Sequence, residues 1–389
     1  MGDISILVAG DFCVRGNSEI YADAGKAQKL TAELKSRILK ADISMVNAET
    51  VFTDIESPIL KSGPALRSSE KSLEILKNLG FTIAAYANNH SFDQGAENML
   101  LSMERMRKAG MYVIGAGKNN EEANKILYIQ KKNKTIAFLN FAEHEFGYAK
   151  EDSPGTAGLD FFENTKLIKK AGENADAVIV YIHGGCEHCP IPRPGLVKIC
   201  RGFADAGAGA VVVSHSHCPV GYEIYNNVPI CYGTGNFYMA ALNSGMEDTL
   251  WNTGYMAEFT VSDENITLSI VPYVFGLNGE YLRLLSSEEN KIFMEYLKEI
   301  SQIINNKILY KKLWNAWCSI YMNGWARDFI RNFNIDNSPS DEYVLFVRNS
   351  YVCESHSEVM KTYYAAYCEN DADDIKYKEM IKKYQKRLF

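Results

Sequence analysis

The stretch AGAVVVSHSH, residues 208–217, closes an apolar run with two histidines one residue apart. Four other runs close in a similar way. ISILVAG (4–10) leads into Asp11, ISMVNAE (43–49) ends at Glu49, TIAAYANNH (82–90) ends at Asn89 and His90, and AVIVYIH (177–183) ends at His183. Short apolar runs of this kind, separated by segments of helical spacing, read as buried parallel strands. Open α/β sheets bind ligands outside the carboxyl ends of such strands. Five ends that deliver Asp, Glu, Asn and His to one edge therefore predict a binuclear metal site. Imidazole combined with carboxylate favours manganese, iron or zinc over calcium, which prefers an all-oxygen shell. Two such divalent ions about 3.5–4 Å apart can activate water and clamp the oxygens of a phosphate ester, so phosphoester hydrolysis is the expected chemistry.

Each ligand also has a plain structural reading. A lone histidine at a strand end is more often a satisfied structural residue than a ligand. The chain has only seven histidines, however, and His90, His183, His215 and His217 are four of them, each just after an apolar run. Asp11 and Glu49 could cap the helices that follow their strands, and Asn89 could be an ordinary turn residue. Its place directly before His90 favours ligation.

At these positions the chain resembles the CapA-type proteins of poly-γ-glutamate capsule synthesis, whose central domain has the calcineurin-like metallophosphoesterase fold. The resemblance covers about residues 4–275. It rests on GDFCVRG (10–16), NAET (47–50), ANNHSFDQG (87–95), GAGKNNEEA (115–123), HGGCEHCPIP (183–192) and SHSHCPVGYEIYNNVPICYGTGNF (214–237). It implies a four-layer α/β sandwich in which Asp11 and His217 bind a first metal, Glu49 takes the bridging position, and Asn89, His183 and His215 bind a second. His90 matches the histidine that protonates the leaving oxygen or steadies the transition state. Asp93 would orient His90, or else cap the following helix. Arg67, Glu187 and Asn236 lie in or near these blocks and are expected to contact substrate or, for Arg67 and Glu187, the polar groups that hold the ligands. For Arg67 a surface ion pair is the competing reading.

The chain departs from the broader phosphoesterase pattern at three places. Cys13 stands where a histidine is usual, Glu49 replaces a bridging aspartate, and Ser214 replaces a glycine. Cys13 could ligate as a thiolate, but a buried inert thiol is the simpler expectation. Cys186 and Cys189 form a C-x-x-C pair with no second pair to complete a four-cysteine zinc site.

Composition narrows the class. With 47% hydrophobic residues in 389, the chain can bury one large core and a smaller one. A net charge of −7 and the lack of a basic patch argue against nucleic acid as partner. Nine cysteines, an odd number at irregular spacing, fit reduced thiols and a cytoplasmic location. The start MGDISILVAGDF enters the first strand at once, with no basic n-region or long apolar segment, so no integral membrane segment is expected.

Leu73, Leu76 and Leu79 before Gly80, and Met99, Leu100, Met103 and Met106 before Gly110, mark two helices whose stripes are core. Hairpins are expected at Asn133 and at Asn226–Asn227. The expected organisation is a metallophosphoesterase-like unit over 1–277 and a mainly helical region over 278–389, divided again around Asn334–Asp341. That region could cover the metal cleft or mediate oligomer contact. Beside hydrolysis of a small-molecule or polymer phosphoester, two alternatives stand. One is a non-hydrolytic accessory protein binding the polymer or a capsule synthase component, and the other is amide-bond chemistry on poly-γ-glutamate.

Overall fold

A computed structural model describes residues 2–240, 245–332, 340–371 and 374–389, with the backbone alone for 326–332. In chain order the strands are β1 (Ile4–Val14), β2 (Ile43–Ala48), β3 (Ile83–Ala85), β4 (Tyr112–Ile114), β5 (Ala116–Gly117), β6 (Leu127–Lys131), β7 (Lys134–Ala142), β8 (Gly155–Thr156), β9 (Ala177–His183), β10 (Ala210–Ser214), β11 (Pro219–Tyr225), β12 (Val228–Thr234), β13 (Asn236–Ala240), β14 (Thr253–Val261), β15 (Ile266–Phe275) and β16 (Leu282–Leu284). The helices are α1 (Ala24–Ile38), α2 (Leu73–Leu79), α3 (Gly95–Lys108), α4 (Asn120–Ala123), α5 (Phe161–Gly172), α6 (Pro194–Asp205), α7 (Ser287–Asn305), α8 (Lys307–Asn332), α9 (Asp341–Val352), α10 (Glu354–Cys368) and α11 (Ile375–Gln385).

Two mixed sheets hold the fold. The first runs β16-β15-β14-β1-β2-β3-β4, with β13 also on β1, and the second runs β11-β12-β10-β9-β7-β6. Strands β1 to β4 are mutually parallel, as are β7, β9, β10 and β12. The five ligand-bearing ends are thus shared between two sheets, three on the first and two on the second, rather than lying along one.

The alternation in β1 shows how the sheets stack. Ile4, Ile6 and Val8 pack with Ile136, Phe138, Ile179 and Val211 of the second sheet. Leu7 and Ala9, on the other face, pack with Leu34 of α1, Leu76 of α2 and the Met99–Met103–Met106 stripe of α3. Successive strand residues face opposite sides, so one strand serves both the sheet–sheet core and the helix layer. Helices α5 and α6 cover the far face of the second sheet through Ile168, Cys200 and Phe203. The result is the expected four-layer α/β sandwich.

Both hairpins close as turns with left-handed residues, Lys132 and Asn133 (φ 48° and 65°) and Asn226 and Asn227 (φ 49° and 66°). That pattern matches the twist of the flanking strands. Asn227→Ala is expected to cost about 1 kcal/mol, read as a lower denaturation midpoint at unchanged slope.

The first sheet continues past residue 277 to β16, which pairs antiparallel with β15. Helices α7 to α11 follow. Leu297, Ile300, Leu313, Trp314 and Trp317 extend the core that begins between the sheets, so these tryptophans are packing residues. Segment 333–339, where the second division with Pro339 was expected, lies outside the described residues. Among the described residues no helix is long and apolar enough to cross a membrane.

Candidate metal centre

Where the two sheets meet, the strand ends converge. Asp11 and Glu49 are fully buried, and Asn89, His90, His183, His215 and His217 are each less than a tenth exposed. The donor atoms of Asp11, Glu49 and His183 all lie within 4.8 Å of one another, as do those of Glu49, His215 and His217. His183 Nε2 is 2.9 Å from Asn89 Oδ1, 3.1 Å from His215 Nδ1 and 3.5 Å from Glu49 Oε1. His217 Nδ1 is 3.8 Å from Asp11 Oδ2, and its Nε2 is 3.9 Å from Glu49 Oε1. All six residues expected as ligands therefore face one small volume, and Glu49 belongs to both donor groups.

A second layer of polar residues fixes these side chains. Asn47 donates to Asp11 Oδ1 at 2.7 Å, and the backbone N–H of His215 donates to Asp11 Oδ2 at 3.0 Å. His183 Nδ1 lies 3.0 Å from Ser214 Oγ and 3.1 Å from Asn47 Nδ2, which turns Nε2 toward the other donors. Asn88 donates to Asn47 Oδ1 and to the Ala48 carbonyl. Both histidines of the SHSH turn have left-handed backbone, φ 92° at His215 and 52° at His217. Such a conformation costs a non-glycine residue about 1–2 kcal/mol and is the kind of strain held at functional sites.

Electrostatics single out Glu49. Neither of its buried carboxylate oxygens has a hydrogen-bond partner. Burial, and then the charge of Asp11, push its carboxyl well above the usual glutamate range. A buried carboxylate is normally paired, hydrogen-bonded or bound to a metal. Asp11 moves the other way: burial alone would raise its carboxyl, but contacts with His183, His217 and Ser214 together outweigh burial and lower it. Burial pushes His215 down to about 4, leaving a neutral imidazole with a lone pair to give. The orphaned Glu49 oxygens among imidazole, carboxylate and amide donors fit a divalent transition metal.

Beside this set, His90 Nε2 is 4.0 Å from Glu49 Oε1, while its Nδ1 is 2.6 Å from Asp93 Oδ2. Asp93 also accepts from Lys61 Nζ and from the Leu66 N–H, each at 2.6 Å. It does not cap α3, whose N-cap residue is Gln94. Asp93 therefore sits where it orients His90.

The other expected residues are placed differently. Arg67 makes a surface pair with Glu56 at 3.7 Å and does not line the cleft, whereas Lys61, from the same loop, does. Asn236 is fully buried and holds His217, with Oδ1 2.8 Å from Nδ1. Glu187 does line the cleft. Cys13 is buried among the packing residues of the helix layer, and burial pushes its thiol up to about 11. Cys13→Ala is expected to leave the metal-to-protein ratio unchanged, as measured by elemental analysis. Burial likewise raises both Cys186 and Cys189, and neither is in a donor cluster among the described residues.

The cleft, about 430 Å³, is closed on one side by Tyr321 and Trp325 of α8, Phe346, Asn349 and Ser350 of α9, and His356 of α10. Buried Arg193 and Glu143 hold these helices down. Arg193 donates to Glu143 Oε1 at 2.6 and 2.9 Å and to Glu358 of α10 at 2.7 Å, and the Ser355 N–H donates to Glu143 Oε2. Glu143 also approaches Cys353 and Glu354 as a third donor group, but its carboxylate is fully engaged in this clamp. The C-terminal helices thus form part of the cleft.

Known proteins match this chain. The PGA biosynthesis protein CapA of Bacillus subtilis (strain 168) is 34% identical over 175 residues, covering 44% of this chain and 46% of its own length. The capsule biosynthesis protein CapA of Bacillus anthracis is 30% identical over 273 residues, 66% of this chain and 65% of its own. A Mycobacterium tuberculosis (strain ATCC 25618 / H37Rv) protein named "Probable polyglutamine synthesis accessory protein Rv0574c" is 26% identical over 208 residues, 50% and 55%. This chain therefore spans between about half and two thirds of the length of these relatives. A solved structure described as a novel phosphatase from Mycoplasma pneumoniae is 16% identical, covers 70% of this chain and 94% of its own, and has a TM-score of 0.47. The family described as "Bacterial capsule synthesis protein PGA_cap" matches residues 5–241, more than half of the sequence, and the chain belongs to that family.

Proposed function

We propose that this protein is a metal-dependent phosphoester hydrolase serving capsule or poly-γ-glutamate metabolism. The observation that carries the reading is Glu49, a buried carboxylate without a partner, shared by two donor groups and 4.0 Å from the His90 ring. Asp11, Glu49, Asn89, His183, His215 and His217 would hold two divalent ions, manganese, iron or zinc. When bound, such ions supply Lewis-acid stabilisation and an activated water. The protein's own residues do the rest. Asp93 and Lys61 hold His90 with Nε2 facing the donor cluster, where it can give a proton to the departing alkoxide. The aromatic wall from α8 and α9 limits access of bulk water. The nine cysteines are all free thiols, which supports a reducing, cytoplasmic location.

The test is turnover by metal-loaded protein over a broad panel of phosphomonoesters and phosphodiesters, beside a His90→Ala variant. Activity on any of them that drops in the variant supports hydrolysis. Inactivity across the panel in a fully metallated protein would sink it. The accessory-protein name of the mycobacterial relative favours a second reading, in which the chain binds the polymer or a synthase component without hydrolysis. Co-purification of a synthase component, indifferent to His90→Ala, would support that reading. Release of free glutamate from the polymer would instead point to amide chemistry.

A further inference from the structure

The wall built by α8, α9 and α10 lies outside the segment matched by the family, yet it completes the cleft. Its polar atoms are left over in a particular way. Asn349 is only 6% exposed, and its amide nitrogen faces Glu145 Oε2 at 3.4 Å. Its Oδ1 has no partner. An orphaned, buried acceptor beside a cleft is costly unless a ligand donates to it. Ser350 spends its proton on the Phe346 carbonyl at 2.8 Å, so its oxygen can only accept. Glu145 and Glu187 add carboxylates on the adjoining face. None of the described residues that these helices place on the cleft is lysine or arginine. The wall therefore seeks hydrogen-bond donors and not a second anion.

The remaining surface is aromatic. Trp325 sits 5.0 Å from Tyr321, 5.0 Å from His356 and 5.5 Å from Phe346. Acceptors spread along an aromatic wall suit a ring that carries several hydroxyls on its edge and apolar C–H groups on its faces. A single ammonium would use one point of that wall. The cleft volume of about 430 Å³ lies within the range of about 300–1,000 Å³ typical of sites that enclose a small ligand.

We propose that this wall is a sugar subsite, holding the hexose of a sugar phosphate ester against Trp325 while Asn349 Oδ1, Ser350 Oγ and the Glu187 carboxylate accept protons from its hydroxyls. The proposal rests on the phosphoester reading, because an ester whose phosphoryl group lies among the Asp11–His217 donors extends its alcohol along this wall.

The test is calorimetric titration of the metal-loaded chain carrying His90→Ala, which holds turnover down. The probes are inorganic phosphate, glycerol 1-phosphate, phosphoethanolamine and the 1-phosphates of glucose, galactose and N-acetylglucosamine. At least one hexose 1-phosphate is expected to bind about tenfold or more tightly than glycerol 1-phosphate. That advantage should shrink to about threefold or less on adding Asn349→Leu or, separately, Trp325→Leu, with inorganic phosphate binding as before. Equal affinity for hexose and glycerol phosphates, an advantage that survives both substitutions, or tightest binding of phosphoethanolamine would overturn the sugar subsite while leaving the phosphoester reading intact. Failure of inorganic phosphate to bind would overturn that reading, and the subsite with it.

Discussion

Glu49→Gln is expected to stabilise the metal-free protein by about 2 kcal/mol and to remove the stabilisation that added metal gives the wild type. The first effect follows from a carboxylate buried with both oxygens unpartnered. Its folded-state carboxyl titrates above the ordinary glutamate value, because burial and the neighbouring Asp11 charge disfavour ionisation. Below the unfolded value both states hold the proton, and the ionisation of Glu49 makes no difference to stability. As pH rises past about 4.5, the unfolded chain releases the proton readily while the folded chain does not, so the wild type loses stability until the raised folded value is passed. The gap between Glu49→Gln and metal-free wild type should therefore open with rising pH. Metal reverses the order, since a ligand at 100 times its dissociation constant stabilises the folded state by about 2.7 kcal/mol. Denaturation curves of chelated and metal-loaded protein at several pH values measure both effects. A variant no more stable than wild type without metal, and equally stabilised with it, would show that Glu49 is not the shared ligand.

His90→Ala is expected to lower kcat on a phosphoester substrate by about 10²–10⁴-fold with metal content intact, the range for loss of a positioned proton donor. Asp93→Asn should reduce kcat in the same direction, because the ring loses the carboxylate at 2.6 Å that fixes Nδ1. The two substitutions differ in stability. Asp93→Asn also leaves the 3% exposed Lys61 side chain without its ion-pair partner, and stranding a buried charge costs about 3–5 kcal/mol. If His90→Ala removed bound metal and activity together, His90 would be a ligand rather than an acid, and the assignment would change.

The ligand set was legible because each donor ends an apolar run, and a strand that must bury its length leaves its last residue at the sheet edge. Glu49, His183, His215 and His217 follow that rule, whereas Asp11 lies three residues before the end of β1, at a register shift in its pairing. The same rule did not reveal that β1 to β3 and β9 to β10 belong to different sheets, since periodicity along a strand says nothing of its partners. Residues that act through others were harder to see. Asn47 lies inside the NAET block, yet its contact to Asp11 depends on the pairing of β1 with β2, and its contact to His183 on the meeting of the two sheets. Lys61 and Arg67 share a loop, and only its path decides that Lys61 turns inward. Asn236 read as a substrate contact because it follows the glycine loop, but its full burial makes it a holder of His217. The closure of the cleft by Trp325, Asn349 and His356 joins segments more than 200 residues from the first ligands, and no local pattern carries such a contact.

Elemental analysis of the purified protein beside a His215→Ala, His217→Ala double variant tests the central claim most directly. Close to two transition-metal ions per wild-type chain, falling sharply in the variant, is the predicted result. A wild-type chain that binds no manganese, iron or zinc, even after incubation with each, would contradict the metal centre and with it the hydrolytic reading.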